Sequence, residues 1–156
     1  MSEIVKVERF NIIGISTETI NENGKAAEDL GKLWNKFYSE NIREKIPGKV
    51  NKNVYAIYTD YESNYKGKYT AMLGFKVHSL NDIPDGLLGR EFEGQEFEVF
   101  TAKGNMPEAI VNTWKEIWDK DEVLNRSYIY DFELYRENSM NGENSEVEIF
   151  IGKKTV

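Results

Sequence analysis

The sequence predicts an α+β fold in which two βαββ units build one mostly antiparallel sheet, with two helices on one face and a central groove between them. Three observations predict it. Apolar residues recur at helical spacing in two separate stretches, each preceded by one β-branched or aromatic run and followed by two more. The two helical stretches align at a fixed offset, Leu30, Trp34 and Phe37 falling on Ile110, Trp114 and Ile117. Between the units lies a Pro- and Gly-bearing segment, residues 78–95, that suits a linker. The expected organisation is one domain, 1–156, with pseudo-repeats at about 1–80 and 90–156.

Taken in order, Val5 to Thr19 is β-branched and bounded by polar residues, which predicts one strand, and "NENG" (21–24) predicts a turn. From Ala26 to Ile42 the apolar positions Leu30, Leu33, Trp34, Phe37 and Tyr38 follow the spacing of an amphipathic helix, which Pro47-Gly48 closes off. "VYAIYTDY" (54–61) and "YTAMLGFKV" (69–77) read as strands of a hairpin around "ESNYKGK". The pattern then restarts with a strand at "EFEVFTAKG" (96–104). A second helix follows, with Asn105 as candidate N-cap, Pro107 and Glu108 in the first turn, and Ile110, Trp114, Ile117 and Trp118 on one stripe. "DKDEV" (119–123) reads as its solvated end, and "YIYDFELY" (128–135) and "EVEIFIGKK" (146–154) as two closing strands. A second fixed offset lays Tyr55 and Tyr58 on Ile129 and Phe132.

Composition narrows the function. Net charge is −7 with no basic stripe, which argues against direct nucleic-acid binding, since phosphate contacts need clustered Lys and Arg. The chain has no Cys, which removes disulfides, thiolate metal sites and Cys nucleophiles together. Its one histidine, His78, has no partners at ligand spacing and permits no Ser-His-acid triad, so neither a metal nor that kind of catalysis is expected. "GLLGRE" lacks the spacing of a phosphate loop, and no cofactor is expected. The N-terminal "MSEIVKVERF" lacks an apolar leader, and no run approaches the roughly 18 apolar residues of a membrane span, so a cytoplasmic protein is expected. Aromatic residues make up 13%, a surplus that suits either a ring-lined pocket or a Tyr-rich core.

The ordered set "YTAMLGFKV", "IPDGL", "FEVFTAKGNMPEAIVNTWKEIW", "YDFELYRE" and "EVEIFIGKK" resembles the GyrI-like effector-binding domain, which is also the drug-sensing half of AraC- and MerR-type transcription regulators. The chain looks like a stand-alone form, without a DNA-binding segment. The resemblance implies an SHS2-type tandem βαββ fold. It implies a pocket-floor carboxylate facing lipophilic cations at Glu133, an aromatic contribution from Tyr55, and helix walls around Leu30, Ile110 and Trp114.

Periodicity alone reads Glu133 differently. Tyr128, Tyr130, Phe132 and Leu134 share one strand face, and Ile129, Asp131, Glu133 and Tyr135 share the other, which the simplest assignment gives to water. The resemblance instead lays helices over that face, where a carboxylate is costly until a cation meets it. Trp34 with Tyr38, and Trp114 with Trp118, form i, i+4 pairs suited either to packing on the sheet or to lining the groove. The expected ligand-binding set is therefore Glu133, Tyr135, Tyr55, Leu30, Trp34, Tyr38, Ile110, Trp114 and Trp118.

The expected function is a multidrug-type sensor or sequestering protein for small hydrophobic or cationic organic molecules, acting as a monomer or weak homodimer. Two alternatives stay open: a hydrolase of cyclopropane-bearing natural products with Glu133 as general acid/base, and a protein-binding inhibitor.

Overall fold

The computed structural model describes residues 3–154, so the two residues at each end of the expected 1–156 domain lie outside the described residues. The strands are β1 (Glu3–Val7), β2 (Phe10–Ile20), β3 (Val54–Thr59), β4 (Lys68–Val77), β5 (Leu88–Phe92), β6 (Gln95–Lys103), β7 (Tyr130–Tyr135) and β8 (Glu146–Gly152). They pair antiparallel in the order β1-β6-β8-β7-β3-β4-β2-β5. The helices are α1 (Lys25–Ser39), α2 (Ile42–Lys45), α3 (Glu108–Asp119) and α4 (Asp121–Leu124). The order β2-α1-β3-β4 recurs as β6-α3-β7-β8, and the two halves of the sheet meet where β3 pairs with β7.

The sheet is strongly curled, and the chain's connections say why. β1 and β5 are the two edges of the sheet. Yet Glu8-Arg9 alone joins β1 to β2, beside the far edge, and Glu93-Gly94 alone joins β5 to β6, beside the near one. Links that short bring the two edges together at one end. Gly94 marks the closest approach, since a Cβ there would stand 2.8 Å from the Val7 carbonyl oxygen. The concave face holds a ring-rich core of Phe10, Tyr55, Phe92, Phe97, Tyr130, Phe132 and Phe150. Phe10 of β2 reaches Phe132 of β7 at 5.9 Å between centroids, although two strands separate them in the sheet. Phe132 and Phe150, paired in register, stack at 4.4 Å.

The opposite face carries the two long helices. Leu33 and Phe37 of α1 pack against Ile13, Ala56, Leu73 and Phe75, and Ile117 of α3 packs against Ile149 and Ile151. Both faces of the sheet are thus buried, and the simplest alternation, apolar inward and polar to water, does not hold for the central strands.

Five expectations about elements need correction. The single strand expected from Val5 to Thr19 breaks at Glu8-Arg9 into two that lie at opposite sides of the sheet. The segment 78–95 is more than a linker, because it contains β5, which pairs with β2. The first helix ends at Ser39 rather than Ile42, because Asn41 adopts a left-handed conformation (φ 52) and turns the chain into α2. Residues 121–124 form a separate short helix, α4, which buries Leu124. Asn105 makes no side-chain cap, and Pro107 occupies the N-cap position of α3.

Candidate functional site

A cavity of about 350 Å³ lies between α1 and α3 with the centre of the sheet as its floor. Each wall follows from local periodicity. α1 turns Ala26, Ala27, Leu30 and Trp34 inward, and α3 turns Ile110, Val111, Trp114 and Trp118 toward them. β3 contributes Tyr58, β4 contributes Tyr69, and β7 contributes Glu133 and Tyr135. The β3–β4 connection adds Tyr61 and Tyr65, and Arg126 closes one side.

Glu133 is 3% exposed. Its cross-strand partner on β3 is Ala56, whose small side chain leaves the carboxylate room above the sheet. Both carboxylate oxygens accept hydrogen bonds, Oε2 from the Trp114 indole Nε1 at 2.7 Å and Oε1 from the Tyr135 hydroxyl at 2.6 Å. Tyr58 is a third hydrogen-bonding neighbour. Burial pushes the Glu133 carboxyl above its ordinary value, while the hydrogen bonds from Tyr135, Trp114 and Tyr58 pull it partway back. Burial also drives the Tyr58 and Tyr135 hydroxyls well above their ordinary range, so both stay protonated donors beside the carboxylate. Every group bonded to Glu133 is therefore neutral.

The rings around it are arranged edge to face. Trp34 meets Tyr135 at 5.0 Å and 70°, and Tyr58 meets Trp114 at 5.8 Å and 86°. At the cavity's outer end Tyr65 stacks on Trp118 at 5.7 Å and 11°. Beyond that pair a second, more open cleft of about 340 Å³ shares Asn21, Ala26, Ala27, Tyr65 and Trp118 with the first.

Arg126 belongs to a separate buried cluster on the side wall. Its Nη2 donates to Asp131 Oδ2 at 2.7 Å, and Asp131 also accepts from the Gly152 backbone N–H at 2.7 Å and from the Tyr61 hydroxyl. Among the described residues no group of three or more His, Cys, Asp or Glu side chains is placed to hold a metal ion. Among them, too, no helix is long and apolar enough to cross a membrane.

Of the nine residues expected to bind ligand, seven line the cavity: Glu133, Tyr135, Leu30, Trp34, Ile110, Trp114 and Trp118. Tyr55 does not. It lies on the other face of β3, tilted against Phe132 at 5.6 Å within the concave core. The offset that laid Tyr58 on Phe132 does not hold, because the two lie on opposite faces of the sheet. Side chains alternate along a strand, and a single-residue slip moves each to the opposite face. Tyr58, on the face that Ala56 shares, is the β3 ring in the site. Tyr38 also stands outside the cavity, 61% exposed and stacked on the outer side of Trp34 at 5.8 Å.

Sequence reasoning missed Tyr58, Tyr61, Tyr65, Tyr69 and Arg126. The tyrosines had a signal, because they recur at short intervals through "YTDYESNYKGKY", the tip of the hairpin beneath the helices. Arg126 had none, as its role depends on Asp131 and Trp114, which only the fold brings to it.

Residues 3–152 match the Cass2 model, described as integron-associated effector binding protein. The chain belongs to the Cass2 family. Its fold is the GyrI-like one that the ordered motifs resemble. Among curated relatives, YobU of Bacillus subtilis (strain 168), provisionally described as a transcriptional regulator protein, is 26% identical over 98% of each chain. Among solved structures, the integron cassette protein VCH_CASS2 of Vibrio cholerae has a TM-score of 0.75 at 22% identity, over 98% of this chain and 95% of that one. The structure of SAV2435 bound to tetraphenylphosphonium has a TM-score of 0.81 at 19% identity, over 99% of this chain and 94% of that one. The chain belongs to a family described as effector binding, which gives it that general role.

Proposed function

We propose that this Cass2-family protein binds lipophilic organic cations in the cavity between α1 and α3, as a sensor or sequestering protein, with Glu133 as the counter-charge. One observation carries the reading. A carboxylate sits buried at the floor of an aromatic cavity, and the groups that hydrogen-bond to it are neutral donors. Such a charge is expensive to bury and is relieved by a cation rather than by an anion or a neutral molecule. The rings then supply dispersion and cation–π attraction, on the order of 0.5–2 kcal/mol per contact. That the neighbouring fold of SAV2435 is known with tetraphenylphosphonium bound supports the same ligand chemistry.

Binding is favoured over catalysis by the composition of the cavity. Glu133 and Arg126 are the acid and base among its lining residues, and Arg126 is tied to Asp131. Both Glu133 oxygens already accept from ring donors, Trp114 and Tyr135, and among the described residues no second carboxylate lines the cavity. The same reading takes the partner to be a small molecule rather than nucleic acid or another protein, and the chain to act in the cytoplasm as a monomer or weak homodimer. It also takes the two βαββ halves as copies of one unit, with the cavity on the seam between them.

Titration with tetraphenylphosphonium tests the function, followed by the fluorescence of Trp34, Trp114 and Trp118. Saturable quenching at micromolar ligand is expected, and its absence would remove the reading.

A further inference from the structure

The hydrogen-bonding capacity of the cavity's carboxylate is largely used up within the protein. Glu133 Oε2 accepts from the Trp114 indole at 2.7 Å, Oε1 accepts from the Tyr135 hydroxyl at 2.6 Å, and Tyr58 is the third hydrogen-bonding neighbour. A carboxylate has about four acceptor sites, so roughly one is left. Ring contacts hold these donors in place. Trp114 stands edge to face with Tyr58 at 5.8 Å, and Tyr135 with Trp34 at 5.0 Å, so neither donor swings away without losing a ring partner. With those rings around it, Glu133 is only 3% exposed.

The other carbonyl side chain of the lining is committed too. Asn21 Oδ1 accepts from the Tyr69 hydroxyl at 2.6 Å, and the Asn21 amide donates to the Tyr65 carbonyl at 3.1 Å. The Tyr61 hydroxyl is turned to Asp131. Trp34, Trp118 and Arg126 carry no acceptor, and Leu30 and Ile110 are apolar. The cavity therefore offers a negative charge and ring surface, but few places for a ligand N–H.

Two kinds of organic cation meet such a wall differently. A primary ammonium carries its charge on three N–H donors, which water satisfies. In the cavity roughly one of the three meets a free carboxylate site, and the others give up water without replacement, a loss that is larger for charged than for neutral groups. A quaternary ammonium or phosphonium ion has no donor to satisfy. It needs the field of the carboxylate, which acts through space, and the ring faces, which attract such ions directly.

We propose, resting on the cation-binding reading above, that the cavity selects permanently charged cations without N–H groups, such as quaternary ammonium, phosphonium and N-alkylpyridinium ions, over protonated amines with the same apolar body. Tyr135 and Trp114 are then specificity-determining residues, because they occupy the Glu133 oxygens that an ammonium would need.

Isothermal titration calorimetry at neutral pH with (biphenyl-4-ylmethyl)trimethylammonium and (biphenyl-4-ylmethyl)ammonium tests this. The two ions share body and charge and differ in three methyl groups against three N–H donors. The quaternary ion is expected to bind about tenfold tighter or more. Methyl burial favours it in any apolar cavity, so the decisive readout is the ratio of the two affinities in Tyr135→Phe and in Trp114→Phe. Each variant keeps a ring and frees a Glu133 oxygen for a ligand N–H, and each should shrink the ratio by about 3- to 10-fold. Changes in affinity that the two ligands share cancel in that ratio, and either variant carries the comparison if the other fails to fold. A ratio that shrinks in neither variant overturns the proposal, as does equal or tighter binding of the primary ammonium to the wild-type protein. Tetraphenylphosphonium, titrated alongside, separates the two readings. If it binds and the quaternary ammonium does not, the selectivity proposed here falls alone; if none of the three ions binds, the cation-binding reading falls and the selectivity with it.

Discussion

Trp114 of α3 donates its indole N–H to Glu133 of β7 at 2.7 Å, joining a helix wall of the cavity to its floor. The same indole meets Tyr58 edge to face at 5.8 Å and lies 6.0 Å from the Arg126 guanidinium. One side chain thus serves as ring wall and as donor to the buried carboxylate. Helix position and carboxylate chemistry are coupled through it.

Trp114→Phe separates those two roles, since it keeps a ring and deletes the donor. With one fewer hydrogen bond to its charged form, the Glu133 carboxyl should rise further above its ordinary value. Calorimetry with tetraphenylphosphonium at neutral pH should show affinity lowered by about 3- to 10-fold, less than a full charged hydrogen bond because the ring remains. An affinity equal to wild type would show that the indole N–H does not support the carboxylate.

The pH dependence has a definite sign. Burial holds the folded Glu133 carboxyl above its ordinary 4.5, so between 4.5 and the folded value the native state keeps a proton that the unfolded chain has lost. Stability contributed by this group therefore falls as pH rises through that window. Cation binding runs the other way, because it requires the carboxylate, and strengthens across the same window. Urea denaturation of wild type and Glu133→Gln from about pH 4 to pH 8 should show the wild type losing ground to the variant as pH rises. A difference between the two that does not change with pH would contradict the burial argument.

The two tyrosines of β3 give a control within one strand. Tyr58→Phe removes a hydroxyl beside Glu133 and should weaken tetraphenylphosphonium binding by about 3- to 10-fold, the size of one hydrogen bond. Tyr55→Phe alters the concave core on the opposite face and should leave binding unchanged. The reverse pattern in a fluorescence titration would mean that the faces of β3 are assigned the wrong way round.

The repeated strand-helix-strand-strand order was legible in the sequence because amphipathic periodicity is strong in α1 and α3, and those helices bring Leu30, Trp34, Ile110 and Trp114 to the cavity as expected. Glu133 was legible only through family resemblance. Alternation alone assigns it to water, and no local signal says that helices cover one face of β7 while the curled sheet covers the other. Tyr55 was chosen over Tyr58 on the resemblance, which does not fix which face of β3 a residue takes, and neighbouring strand positions point to opposite faces. β5 was hidden among Pro and Gly residues, since an edge strand needs only one neighbour and half of a hydrophobic pattern. The Arg126–Asp131 pair was invisible because its partners meet only after β7, α4 and β8 have packed.

The most direct measurement is the affinity of tetraphenylphosphonium for wild type and Glu133→Gln, compared by calorimetry at neutral pH. Replacing a buried carboxylate by a neutral amide of the same shape removes the counter-charge and keeps the cavity. An affinity loss of about 30-fold or more is predicted, corresponding to the ~2 kcal/mol lower limit for truncating one side of a buried charge pair. Equal affinity in the two proteins would contradict the account, because the cation would then be held by the rings alone.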